Sequence, residues 1–126
     1  MNVLLDTCAL LALARGELPD AAGRALRSAP EAIVSVVTAW EVAIKSAAGK
    51  IRLKHPPAQW FSGLVEHHDL REIPLDARTA CAAAELPTLH RDPFDRVLVA
   101  LAQRHALTIL TSDDNIAKYS SVKTVW

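Results

Sequence analysis

The chain is constrained first by Val3-Leu4-Leu5, an apolar run without polar alternation that stops at Asp6. A strand that does not alternate is one covered on both faces, the situation of a central strand in a parallel sheet. An acid at the carboxyl end of such a strand lies where open α/β sheets bind their ligands. Asp6 is therefore a candidate for chemistry, with capping of a helix that starts near Cys8 as the equally simple alternative.

The rest of the chain continues the strand–helix alternation. Cys8 to Ala14 reads as a short helix stopped by Gly16, and Pro19 starts a second helix to about Ala29. Ala32 to Val36 is a β-branched second strand, followed by a helix from Thr38 to Ala48 that Gly49 ends. After Pro56 and Pro57, Ala58 to His68 places Trp60, Phe61, Leu64 and Val65 on one helical face. Arg71 to Leu75 is a brief third strand, and Asp76 opens an alanine-rich helix to about Leu86. A helix over 93–105, a fourth strand from Leu107 to Thr111 and an edge strand within Ser121 to Trp126 complete the pattern. Such alternation predicts βαβ units, hence an α/β fold with a parallel sheet between helices.

The 126 residues, 51% of them hydrophobic, suit a single domain spanning 1–126. Lys+Arg and Asp+Glu both number 14, so any nucleic-acid contact must come from a local patch rather than from bulk charge. Cys8 and Cys81 have no metal or disulfide spacing and read as small buried hydrophobes. With no signal-peptide pattern and no apolar run near the roughly 18 residues of a membrane span, a cytoplasmic protein is expected.

Four acids take equivalent places in this layout. Asp6 follows the first strand, Glu41 lies in the first turn of the helix after the second, Asp95 starts the helix that crosses over to the fourth strand, and Asp113 follows that strand. Strand carboxyl ends and crossover-helix starts share one sheet edge, so the four acids converge there. Each also has a capping explanation: Thr38 and Glu41 form a Thr-x-x-Glu box, Asp92 suits the N-cap before Pro93, and Asp113 suits a turn. Four converging carboxylates repel unless something neutralises them, and a divalent cation would do so. An all-oxygen ligand set points to Mg²⁺ or Mn²⁺, and such ions recur where phosphodiester bonds are hydrolysed.

Leu5-Asp-Thr7, Trp40-Glu-Val-Ala-Ile-Lys45, His90-Arg-Asp-Pro-Phe-Asp-Arg96 and Thr111-Ser-Asp113, in this order and spacing, resemble a PIN-domain ribonuclease. The likeness covers nearly the whole chain and is strongest to the VapC-like toxins of type II toxin–antitoxin systems. It implies a three-layer α/β/α fold with a five-stranded parallel sheet of order 3-2-1-4-5, a homodimer, and a cognate antitoxin that blocks the site. It further implies Mg²⁺- or Mn²⁺-dependent endonucleolytic cleavage of RNA by Asp6, Glu41, Asp95 and Asp113, with Asp6 and Asp95 at the best-established metal-ligand positions. Thr7 and Thr111 match hydroxyls that orient the acids. Cys8 stands where the family often has Ser, and Asp114 competes with Asp113 as the fourth acid, with spacing from Thr111 favouring Asp113.

Other residues carry plainer expectations. Lys45 is placed for an i,i+4 ion pair with Glu41, with RNA phosphate as the alternative. Arg96 is a candidate either for phosphate or for neutralising the acids. His90 and the His67-His68 pair lack metal spacing and read as surface or loop histidines. Trp40, Trp60 and Phe61 read as core or interface residues, an exposed part of the Trp60-Phe61 face suiting a dimer or an antitoxin helix. Two other functions fit the layers: a phospho-receiver that binds Mg²⁺, and a PIN fold kept only to bind a partner. A receiver wants paired acids after strand one and a phosphorylatable Asp after strand three. Here Asp6 stands alone, and Asp76 follows Leu75 with no loop to spare.

Overall fold

A computed structural model describes all residues from Met1 to Trp126. Five parallel strands, β1 (Val3–Leu5), β2 (Ala32–Ser35), β3 (Arg71–Ile73), β4 (Thr108–Leu110) and β5 (Lys123–Val125), form one sheet of order β3-β2-β1-β4-β5. This is the order that the resemblance implies. Seven helices connect and cover them: α1 (Thr7–Arg15), α2 (Asp20–Ser28), α3 (Val36–Ala47), α4 (Pro57–His67), α5 (Ala77–Glu85), α6 (Pro93–His105) and α7 (Asp114–Ala117).

The register explains the unbroken apolar run of β1. Leu4 lies beside Ile33 and Ile109, and all three point to the face covered by Leu98, Leu101 and Ala102 of α6. Val3, Leu5, Val34 and Leu110 point to the opposite face, against Leu10 of α1 and Phe61 of α4. Because successive strand residues face opposite ways, a strand sandwiched between two helical layers must be apolar throughout. Val3, Leu4 and Leu5 have no solvent exposure at all.

Helix ends follow local chemistry, with one departure from the expected pattern. Asp6 caps α1, its Oδ1 accepting the Ala9 N–H at 2.7 Å, and Gly16 closes the helix at φ 70°. Asp92 caps α6, as expected, by accepting the Phe94 N–H at 2.9 Å. The expected Thr38–Glu41 capping box does not form. The chain passes directly from β2 into α3, so Ser35 becomes the N-cap and accepts the Val37 N–H at 3.0 Å. Thr38 is thereby buried inside the helix, its Oγ1 without a protein partner, and Glu41 moves from the first turn to the second.

β3 stops at Ile73 because Pro74 has no N–H to offer a ladder. Both cysteines, expected to be buried, are exposed, and Cys8 Sγ lies 3.0 Å from Ser112 Oγ. No helix is long and apolar enough to cross a membrane.

Candidate active site

The carboxyl ends of β1 and β4 meet where the Asp6 N–H donates to the Leu110 carbonyl at 3.2 Å. This junction fixes Asp6 at the edge where the sheet's central strands end. Asp6 is 3% exposed, and loss of water around its carboxylate pushes its pKa up to about 6. The Thr111 hydroxyl and the Ala9 N–H pull the other way, while the negative charges of Asp113 and Glu41 add to the rise.

Glu41 reaches the same edge from α3 and is also buried. The Thr7 hydroxyl donates to its Oε1 at 2.6 Å, and Lys45 Nζ sits 2.8 Å from its Oε2. The i,i+4 pair expected from spacing therefore exists, and the hydrogen bond to Glu41 raises the Lys45 pKa. Asp95, at the start of α6, is pushed up to about 7, first by burial and then by the charges of Asp92, Asp113 and Glu41, with a hydrogen bond from His90 opposing. Asp113 caps α7 by accepting the Asn115 N–H at 2.8 Å, and its own N–H donates to Thr111 Oγ1 at 2.9 Å.

Of the four acids expected to converge, Glu41 and Asp113 thus lie within electrostatic reach of both Asp6 and Asp95, and the four come from separate segments. Asp114 is exposed at the start of α7 and takes no part in these contacts, which leaves Asp113 as the acid facing Asp6 and Asp95. Capping and convergence also turn out to be compatible. Asp6 and Asp113 each use one carboxylate oxygen on a helix N-terminus, which leaves the other for the site.

A PIN domain family model matches residues 3–122. The chain belongs to the PIN-domain family. Among characterised relatives of this PIN domain, Ribonuclease VapC22 of Mycobacterium tuberculosis is 30% identical over 112 residues, covering 86% of this chain and 85% of the relative. Solved structures share the fold. VapBC2 from Rickettsia felis, bound to a DNA fragment from its promoter, aligns with a TM-score of 0.71 at 15% identity over 99% of this chain and 98% of the other. VapBC-5, a member of the VapBC family of toxin–antitoxin systems from Mycobacterium tuberculosis, aligns with a TM-score of 0.64 at 22% identity over 98% and 97%.

Two side chains of this PIN domain lie elsewhere than expected. Arg96, a candidate for substrate or for the acids, turns away from both. Its Nη1 donates to the carbonyls of Pro87 and His90 and to the Tyr119 hydroxyl, and its Nη2 to the carbonyls of Ala84 and Leu86. A planar guanidinium with fixed donors suits a loop whose carbonyls lack ladder partners. The path of that loop was not visible from residue spacing.

His90, expected as an uninvolved loop histidine, is in a loop but not uninvolved. Its Nε2 lies 2.8 Å from Asp95 Oδ2, and the potential ligand atoms of His90, Asp95 and Asp113 all fall within 4.8 Å of one another. The only hint in the sequence was its place five residues before Asp95. Trp40, expected in a core or interface, is 63% exposed and meets Phe94 edge-on at 5.2 Å, whereas Phe61 is buried.

The donor set fits a hard divalent cation. Asp6 and Asp95 are held above the usual carboxylate range by burial and by the charges of Asp113 and Glu41, a penalty that a cation removes, and the oxygens on offer suit Mg²⁺ or Mn²⁺. Beside Thr7 and Lys45 a cavity of about 360 Å³ opens, flanked by Cys8, Arg15 and Trp126. Asp76, the acid after β3, caps α5 through the Thr79 N–H and pairs with Arg104 at 2.8 Å. The acid a phospho-receiver would require is thus committed to other contacts.

Proposed function

We propose that this PIN domain is a Mg²⁺- or Mn²⁺-dependent endoribonuclease and the toxin of a toxin–antitoxin pair. The observation that carries the reading is the gathering of Asp6, Glu41, Asp95 and Asp113 at one sheet edge, with Asp6 and Asp95 pushed up by burial and by their neighbours' charges. Asp6, Asp95, Asp113 and Glu41 hold the cation. A cation held there would supply a water of lowered pKa for attack and a positive charge for the oxygen that leaves phosphorus.

The chain's own residues set the geometry. Thr7 fixes one oxygen of Glu41, and Thr111 holds the backbone of Asp113. Lys45, partly exposed and paired with Glu41, is the cation beside the acids that could also meet an RNA phosphate. The adjoining cavity carries Arg15 and Lys45 against one acid, Glu17, which suits a phosphate of the strand beside the cleaved bond. The name of VapC22 supports the reaction, and the VapBC structures support an antitoxin partner. A homodimer, one domain over 1–126 and a cytoplasmic location complete the proposal.

The test is cleavage of a defined RNA by purified protein with Mg²⁺, Mn²⁺ or EDTA, and mapping of new 5′ ends after induction in cells. Asp6→Ala and Asp95→Asn should abolish both cleavage and growth arrest, and co-expression of the adjacent small gene should relieve the arrest. Folded Asp6→Ala and Asp95→Asn proteins that still cut RNA in a metal-dependent way would refute the site. A wild type that binds partners yet never cuts would favour a PIN fold kept for binding.

A further inference from the structure

We propose that His90 is a nitrogen ligand of the cation held by Asp95 and Asp113, and that it biases the site toward first-row transition ions over Mg²⁺. The inference rests on the metal-dependent reading above. His90 Nε2 and Asp95 Oδ2 are 2.8 Å apart, with side chains only 18% and 14% exposed. The third donor, on Asp113, lies within 4.8 Å of both. Ligands about 2.1 Å from a common octahedral ion lie roughly 3 Å apart when adjacent and about 4.2 Å when opposite. The three groups therefore need only small rotations to enclose one ion.

The imidazole is not there by the accident of a loose loop. The His90 carbonyl accepts from Arg96 Nη1 at 3.1 Å, and the same guanidinium holds the carbonyls of Ala84, Leu86 and Pro87. Tyr119 adds a bond from its hydroxyl to the Pro87 carbonyl at 3.1 Å. The segment before α6 is thus fastened from below while its histidine is presented to Asp95.

Ligation uses the lone pair of Nε2 in the neutral tautomer, with hydrogen on Nδ1, and replaces the His90–Asp95 hydrogen bond by two bonds to the same ion. Mg²⁺ keeps to oxygen donors, whereas imidazole suits the later ions of the first transition row best, with Mn²⁺, which also favours carboxylates, between the two. His90 consequently sets which ion the acids hold, a task that the acids alone do not perform.

The experiment loads the full chain with Mn²⁺ and records electron spin-echo envelope modulation, alongside calorimetric titration with Mn²⁺ and with Mg²⁺. Directly bound imidazole nitrogen should appear in the wild type and vanish in both His90→Asn and His90→Gln. Mn²⁺ affinity should fall about 10-fold or more in these variants, and Mg²⁺ affinity less. Mn²⁺ bound by the wild type without nitrogen modulation overturns the proposal and leaves His90 as the hydrogen-bond partner of Asp95. Modulation that persists without His90 overturns it as well, since another histidine is then the ligand. A wild type that binds no Mn²⁺ or Mg²⁺ removes the metal-dependent function itself, which separates the two failures.

Discussion

Thr7 Oγ1 lies 2.6 Å from Glu41 Oε1, so the first residue of α1 is tied to the second turn of α3 across the sheet edge. Both residues are buried. Replacing Thr7 by Val keeps the shape and removes the donor, leaving one Glu41 oxygen without its partner. RNA cleavage should fall about 10-fold, the range seen when groups that orient metal ligands are lost. Thr7→Ser should restore most of it. Steady-state cleavage rates, with circular dichroism to confirm folding, check both outcomes.

Stability of the metal-free protein should fall as pH rises through the weakly acidic range. Asp6 and Asp95 keep their protons to about pH 6 and 7 in the fold, while unfolded carboxyls release theirs near 3.8. Between these values the native state holds more protons than the unfolded chain, so raising the pH favours unfolding. For Asp6 alone the loss by pH 7.5 is on the order of 3 kcal/mol. Mn²⁺ should reverse the trend, raising the Tm more at pH 7.5 than at pH 5. Thermal unfolding with Mn²⁺ and with EDTA measures this, and Asp6→Asn should flatten the pH dependence in EDTA.

Arg96 holds a loop, and its loss should appear as lost stability. Arg96→Ala takes the guanidinium donors from the carbonyls of Ala84, Leu86 and His90, and leaves the Pro87 carbonyl to the Leu89 N–H and the Tyr119 hydroxyl. Urea denaturation should show a loss of about 2 to 4 kcal/mol, several hydrogen bonds being broken together. Arg96→Lys should not recover it, because an ammonium lacks the planar fork. Limited proteolysis should cut the variant first within 84–91.

Ala106 ends α6 at φ 53°, a left-handed conformation that disfavours a side chain. Glycine is the usual residue at such a helix end. Ala106→Gly should therefore stabilise the fold by about 1 kcal/mol, visible as a higher Tm with RNA cleavage unchanged. An equal or lower Tm would show that the lost freedom of the unfolded chain outweighs the relief.

The parts of the molecule governed by local chemistry were readable from residue order. An apolar run ending at Asp6 marked a central strand, Gly16 and Asp92 marked helix ends, and the i,i+4 spacing of Glu41 and Lys45 became an ion pair. The strand order came instead from likeness to a family. Spacing from Thr111 picked Asp113 over Asp114, but the Thr-x-x-Glu spacing put the start of α3 three residues too late. Ser35 took the cap expected of Thr38 because β2 runs into α3 without a turn. Contacts across the loop before α6 were out of reach, since nothing in 84–96 says that Arg96 folds back under the chain while His90 swings toward Asp95. The cysteines misled through composition, being apolar by habit yet exposed here.

The strand order has a consequence in time. β1 is made before β4 but pairs with it, so its inner edge waits for Thr108–Leu110, and Asp113 follows later still. A nascent chain that has not reached this point holds an open edge in the middle of its sheet and lacks the acid that faces Asp6. On the proposed function, the ribosome translating this protein meets no assembled nuclease until β4 and Asp113 have been made, and a message truncated before β4 encodes Asp6 without the acid that faces it.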